Sequence, residues 1–196
     1  MATTTEPLTQ ALQGSPPRPV NRLIGAFLAV AVVGWSAAFF LTTVHLWALP
    51  LPDGVQPQGS MEVVTSSWAY IGPIPLALVG AGYYVAMMTL GALWLTTKDP
   101  RLEQVMLPVT VIGLLSSVGL VYLQLGPIGA ICPFCMVSAT ATATLFSLEV
   151  VIKRLGGGTA APPASPAKVW PAVFVGAIGM AIVAVYGLTL VPIPGT

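Results

Sequence analysis

Cys132-Pro133-Phe134-Cys135 lies inside a hydrophobic run, just after Gly126-Pro127-Ile128-Gly129, and holds the only two cysteines of the chain. A thiol pair at this spacing can close a disulfide and reopen it. Its surroundings decide the fold. On either side the chain is apolar for about as long as a bilayer-crossing helix needs, which is ~20 residues.

Of the 196 residues, 56% are hydrophobic and only 7% charged, and the mean hydropathy is +0.88. Soluble domains carry roughly 25% charged residues, so the composition specifies an all-α integral membrane protein. The net charge of +1 says nothing about nucleic acid, but no basic cluster resembles a phosphate-binding patch, and no nucleic-acid partner is expected. Two cysteines are too few for a disulfide scaffold or a four-ligand zinc site within one chain. A zinc shared between two copies is the remaining metal reading, and no metal is expected.

Outward from the cysteines, the apolar runs predict five spans, near 23–49, 73–95, 105–125, 130–152 and 169–191. Residues 1–21 are polar and proline-bearing and read as a disordered tail. Residues 22–154 form a four-helix unit, 155–168 a Gly/Ala/Pro linker, and 169–196 a fifth helix with the C-terminus. A signal peptide is the competing reading of the first span, but that run is long and no small-x-small cleavage site follows it. The break over 50–72 is rich in Pro and Gly. Thr96 to Glu103 reads as a charged turn, and Gly126–Gly129 as a tight one.

Five spans put alternate loops on opposite sides. Arg18, Arg22, Lys98, Arg101, Lys153, Arg154 and Lys168, all the Lys and Arg of the chain, then fall on one side. Positive residues mark the cytoplasmic face. The N-terminus is therefore expected inside, the 50–72 loop and the C-terminus outside, and Cys132 and Cys135 at the outer end of the fourth helix. Trp47 and Trp68 are expected at the outer boundary and Trp94 and Trp170 at the inner one, as an aromatic belt. Glu149, one turn before Lys153, is expected to pair with it at the inner surface.

Thiolate is the reactive form of cysteine, and the free N–H groups of a helix N-terminus favour it. Pro133 disrupts a helix interior but fits a first helical turn, so the chain is expected either to kink there or to begin a helix at Cys132. In that geometry Cys132 is the more exposed, attacking thiol and Cys135 the more buried one. A structural pair of buried thiols is the alternative.

Two stretches together resemble the bacterial vitamin K epoxide reductase homologues. One is Val121-Tyr122-Leu123-Gln124-Leu125 with Ile128-Gly129-Ala130-Ile131-Cys132-Pro133-Phe134-Cys135-Met136-Val137-Ser138-Ala139. The other is Val64, Ser67, Trp68-Ala69, then Ile74-Pro75-Leu76-Ala77-Leu78-Val79-Gly80 and Tyr83-Tyr84. The resemblance spans roughly 23–152. It implies a four-helix transmembrane bundle, here with a fifth helix, in a bacterial plasma membrane. It also implies a quinone-linked thiol:disulfide oxidoreductase that hands a disulfide to a thioredoxin-like partner outside. By position, Cys135 faces the quinone and Cys132 exchanges disulfides, while Ser67 matches a loop serine that hydrogen-bonds a quinone oxygen. Members usually carry a further cysteine pair in the outer loop, and here the second of these positions is Met61, which cannot exchange disulfides. A second reading follows from that loss: a non-catalytic subunit of a larger membrane complex that still binds a quinone.

Tyr83 and Tyr122 join Ser67 as candidate quinone contacts, with packing the plainer reading for both tyrosines and for Tyr84. His45 is a lesser candidate, since an interfacial histidine bonded to loop or water explains it as well. Met87-Met88 reads as core or lipid-facing filler. Ala172, Gly176 and Gly179 give the fifth helix a small-residue face for packing on the bundle or another subunit.

Overall fold

Lipid offers a backbone N–H or C=O no partner, so a spanning segment must satisfy its own as a helix. In a computed structural model the chain is described over residues 18–47, 49, 51, 54, 56–157 and 162–190. Positions 1–17 of the expected tail, Asp53 and residues 191–196 lie outside these. Six helices form among the described residues: α1 (Arg18–Trp47), α2 (Ser60–Thr65), α3 (Leu76–Thr97), α4 (Pro100–Leu123), α5 (Pro133–Arg154) and α6 (Pro166–Leu190). All but α2 are long and apolar enough to cross a membrane. The molecule is an all-α, multi-pass membrane protein.

The boundaries moved where local chemistry outweighs hydropathy. α1 begins at Arg18, so the last four residues of the expected tail are helical. The break over 50–72 holds α2, a 3-10 turn at Ser67–Ala69 and the first half of a two-residue antiparallel ladder, Tyr70–Ile71 against Ile74–Pro75. Gly72, at φ 61°, turns the ladder's corner, and α3 starts only after it. The expected charged turn shrinks to Lys98 and Asp99. Lys98 ends α3 in the left-handed conformation. The Asp99 carboxylate caps α4 by accepting the Arg101 N–H at 2.9 Å, with Pro100 in the first turn.

The Gly126–Gly129 turn is different in kind. α4 continues past Leu123 as a π-type turn over Gln124–Ile128 and stops at Gly129, whose φ of 71° suits glycine.

α1 is the hub of the bundle, packed against α3, α5 and α6, with α4 lying against α5 and α3. Its core with α3 is built from Ile24, Phe27, Ala31, Tyr84, Met87 and Trp94, all close to fully buried. Met87 and Met88 belong to this core. Trp94 does not join a belt. It is 1% exposed, its ring stands edge-on to Phe27, and its Nε1–H donates to Glu103 Oε1 at 3.2 Å. Glu149 likewise departs from expectation. It is 2% exposed and accepts a hydrogen bond from Thr110 at 2.7 Å, while Lys153 is exposed.

The small residues divide by what they touch. A Cβ on Gly91 would stand 3.0–3.2 Å from Leu28 and Phe27, whereas Gly82 and Gly179 face open space. Gly176 of α6 lies against Val32 of α1. At the basic end, Lys98 Nζ donates to Asn21 Oδ1 at 2.6 Å and Asn21 Nδ2 to the Pro162 carbonyl at 3.0 Å. These bonds tie the end of the linker to α1 and α3.

Gly34 is the tightest contact in the bundle. A Cβ there would run into the ring of Tyr84, which is 1% exposed. Gly34→Ala is expected to cost about 2 kcal/mol through overpacking, read as a fall in the thermal midpoint in detergent. Gly82→Ala is expected to leave the midpoint unchanged.

Candidate active site

Cys132 is the N-cap of α5, in extended conformation at φ −99°, and its carbonyl accepts the Met136 N–H at 3.1 Å. Its own N–H is spoken for by the Gln124 side chain, whose Oε1 accepts it at 2.8 Å. Gln124 is 2% exposed and sits at the start of the π-type turn. The turn thus swings a side-chain oxygen into the gap between α4 and α5 and fixes the cysteine backbone.

The exposure of the two thiols is the reverse of that expected. Cys132 is 0% exposed and Cys135 half-buried. Helix α2 folds over the start of α5 and lays Val63 and Val64 on Cys132, with Phe40, Leu41 and Val44 of α1 beneath. Phe134 stacks on Phe40 at 4.2 Å between ring centres and seals one flank. Met61, the position matched to a loop cysteine, packs against this same cluster. Both cysteines are free thiols.

The Cys132 thiol is pulled down to about 6. The Cys135 thiol hydrogen bond is the largest cause, and the Cys135 and Phe134 backbone N–H groups and the Ser60 hydroxyl add to it against the opposing effect of burial. A helix N-terminus aims its unpaired N–H groups at the cap, so the proline-started helix predisposes Cys132 to be the thiolate.

Cys135, one turn on, lies on the wall of a cavity of about 120 Å³. Leu41, Val63, Val64, Leu76, Leu120 and Ile128 make most of that wall apolar. Polar atoms come from His45, Ser66, Gln124 and Ser138. His45 Nδ1 is hydrogen-bonded to the Leu41 carbonyl at 2.8 Å, and its Nε2 is buried without a partner. With Nδ1 donating, Nε2 is left as an acceptor for a hydroxyl in the cavity. An apolar slot holding an orphaned imidazole nitrogen and a thiol suits the flat, two-oxygen head of a quinone.

The other sequence candidates lie elsewhere. Ser67 is exposed and off the cavity, while its neighbour Ser66 is on the wall, its hydroxyl donating to the Val63 carbonyl at 2.7 Å. The 3-10 turn places the second of these adjacent serines outward. Tyr122 is 70% exposed on the outer flank of α4, with Leu115 and Val118. Tyr83 points away from the cavity, into the side of α4 at Gly113. Sequence reading assigned no part to Gln124, Ser66 or Ser138. Gln124 carried the clearest signal, as an amide in an otherwise apolar run eight residues before Cys132. Among the described residues no group of three His, Cys, Asp or Glu side chains comes together that could hold a metal ion.

A four-helix unit with a thiol pair at a helix start against an apolar cavity defines a class, the membrane thiol oxidoreductases linked to a quinone. The match with a family model makes it specific. Residues 26–150, well over half of the chain, match the vitamin K epoxide reductase family, and the chain belongs to it. No curated protein matches the chain.

The polarity of the pair can be measured. In reduced protein, peptide-resolved alkylation of Cys132 by a small reagent is expected to rise with pH around a midpoint of about 6, since the thiolate is lost below it. In Cys135→Ala, which removes the largest cause, the midpoint is expected to move up toward the ordinary thiol value of roughly 8.5.

Proposed function

We propose that this chain is a quinone-dependent thiol:disulfide oxidoreductase of a bacterial plasma membrane, with Cys132 and Cys135 as its redox pair. The observation that carries the reading is the placement of Cys135 on the cavity wall, one turn after Cys132 at the N-cap of the same helix. Cys135 meets the acceptor, and Cys132 meets the donor thiol. With the basic loops inside, the pair lies at the outer end, where disulfides persist.

The work of the residues follows from their chemistry. Pro133 starts the helix whose N–H groups hold the Cys132 thiolate. Gln124 holds its backbone so that Sγ stays next to Cys135. Closing the Cys132–Cys135 bond releases two electrons into the cavity, and a quinone there supplies a two-electron, two-proton acceptor. His45, Ser66 and Ser138 are the groups positioned to bind its oxygens.

An incoming thiol, from a thioredoxin-like partner outside, has no loop cysteine to engage and must reach Cys132 itself. Cys132 is covered by α2, so exchange requires α2 to lift. That cover also favours a second reading, a non-catalytic subunit of a larger complex in which the pair is locked and the cavity still holds a quinone.

Protein reduced in advance and freed of reductant is expected to convert a soluble quinone analogue to hydroquinone, one per cysteine pair, and to end with Cys132 and Cys135 joined. Cys135→Ala is expected to lose that burst. A wild-type burst no larger than that of Cys135→Ala removes the oxidoreductase reading, and recovery of a stable hetero-complex in mild detergent would then support the subunit.

A further inference from the structure

A line of buried polar groups leaves the cavity and runs toward the basic end of the bundle. Ser138, on the cavity wall, has its hydroxyl 3.1 Å from that of Tyr84, which also donates to the Ser138 carbonyl at 2.6 Å. Tyr84 Oη is 2.9 Å from Thr142 Oγ1. The Tyr83 hydroxyl lies beside Thr142 without closing a hydrogen bond. Its phenol is seated by Gly113, where a Cβ would fall 2.7 Å from the Tyr83 hydroxyl. One turn before Gly113 on the same helix is Thr110, which meets Glu149 Oε2 at 2.7 Å.

Two atoms in this line stand buried and unpartnered: Tyr83 Oη and Glu149 Oε1. The groups flank one interhelical space and sense each other electrostatically. From Ser138 to Glu149 is eleven residues of helix, about 16 Å, and five more residues reach Arg154 at the end of α5. An ionisable group at membrane depth is costly and marks function more often than packing.

The single hydrogen of Thr110 also has the Met106 and Leu107 carbonyls within 3.1 and 3.0 Å. It is donated to Glu149 Oε2 at the shortest of the three distances, 2.7 Å, and Glu149 Oε1 is left buried with no partner. The titratable groups that bear on Glu149 are Lys153 one turn on, Glu103 from α4 and Tyr83 from α3, while Arg22 of α1 is exposed.

We propose that Glu149 is the loading group of a proton path that enters at the basic end and passes through Tyr83, Thr142 and Tyr84 to Ser138 at the cavity. The inference rests on the quinone reading above and supplies what its chemistry lacks. Cys132 as thiolate and Cys135 as thiol give up two electrons and one proton when the S–S bond forms. Reduction of a quinone to hydroquinone takes two electrons and two protons. The missing proton comes from Glu149, which reloads from the inner water, while the one Cys132 lost on ionising left on the other side. Each quinone reduced then takes up one proton from the basic end.

The experiment follows pre-reduced protein reacting with a soluble quinone analogue, in detergent and in vesicles whose lumen faces the basic end and holds a pH dye. Wild type is expected to make hydroquinone with a solvent deuterium isotope effect and to raise luminal pH. Glu149→Gln keeps the shape and the Thr110 contact. It is expected to slow hydroquinone formation about a hundredfold, to abolish the luminal signal, and to remove a protonated-carboxyl stretch from the infrared spectrum. Reduction of its disulfide by dithiothreitol is expected to stay at the wild-type rate. Tyr83→Phe is expected to slow the same step, and it decides the matter should Glu149→Gln fold poorly. Wild-type hydroquinone formation and luminal signal in both variants overturn the path and leave the oxidoreductase reading standing. A wild type that never reduces the quinone overturns both.

Discussion

The hydrogen bond from the Cys132 N–H to Gln124 Oε1 joins the two features on which the site is built. In lipid a helix can end only where something else takes its unpaired groups. At the junction of α4 and α5 the chain must stop one helix and start another within a few residues. The π-type turn at Gln124–Ile128 carries the first helix on until Gly129 can reverse it, and Gln124 reaches across to the first residue of the next. Its amide oxygen takes a backbone donor at the very point where a cysteine replaces the usual Ser, Thr or Asp cap. The remaining N–H groups of that first turn are left to face sulfur.

This explains why the two thiols differ although they are three residues apart. Cys132 sits where the backbone donors converge, so its charge is supported even at 0% exposure. Cys135 is one turn inside the helix, where the donors are spent on helical bonds, and its sulfur faces an apolar wall. Burial and ionisation are therefore uncoupled here: the more buried thiol is the more acidic. Sequence reasoning had assigned Cys132 the greater exposure, because it did not see α2 folding over the cap.

The spans, the segregation of Lys and Arg and the helix start at Pro133 were legible because the bilayer imposes them along the chain. What each residue faces was not, and for one physical reason. α3 and α4 are apolar on every side, so no amphipathic phase says which side turns inward. Trp94 read as belt and is core; Tyr122 read as a site candidate and faces outward; Tyr83 read the same way and turns into α4. Ser67 missed the cavity by one residue, the smallest error a 3-10 turn can produce. Glu149 looked like half of a surface pair four residues from Lys153. The i,i+4 rule assumes both groups point to water, and here the carboxyl is buried and hydrogen-bonded to Thr110 on another helix, 39 residues away, with Lys153 acting on it through charge alone.

Of the polar residues of α5, Cys135, Ser138, Thr142 and Glu149 fall at spacings of three, four and seven that keep them on one face of the helix, while Thr140, Thr144 and Ser147 turn elsewhere and bond back to their own helix. Stability does not account for such a stripe. A hydrogen bond between helices in a membrane contributes only about 0.6 kcal/mol, and a buried carboxyl with one oxygen unpartnered carries a desolvation cost against it. A stripe of Ala and Leu would pack this interface at least as well. The glycines point the same way. Gly34 and Gly113 surrender side chains on two different helices to admit the rings of Tyr84 and Tyr83, and each tyrosine then delivers a hydroxyl to the stripe instead of another apolar surface to the core. The bundle gives up packing on α1 and α4 in order to keep hydroxyls lined up along α5, and the line begins at the thiol that faces the cavity.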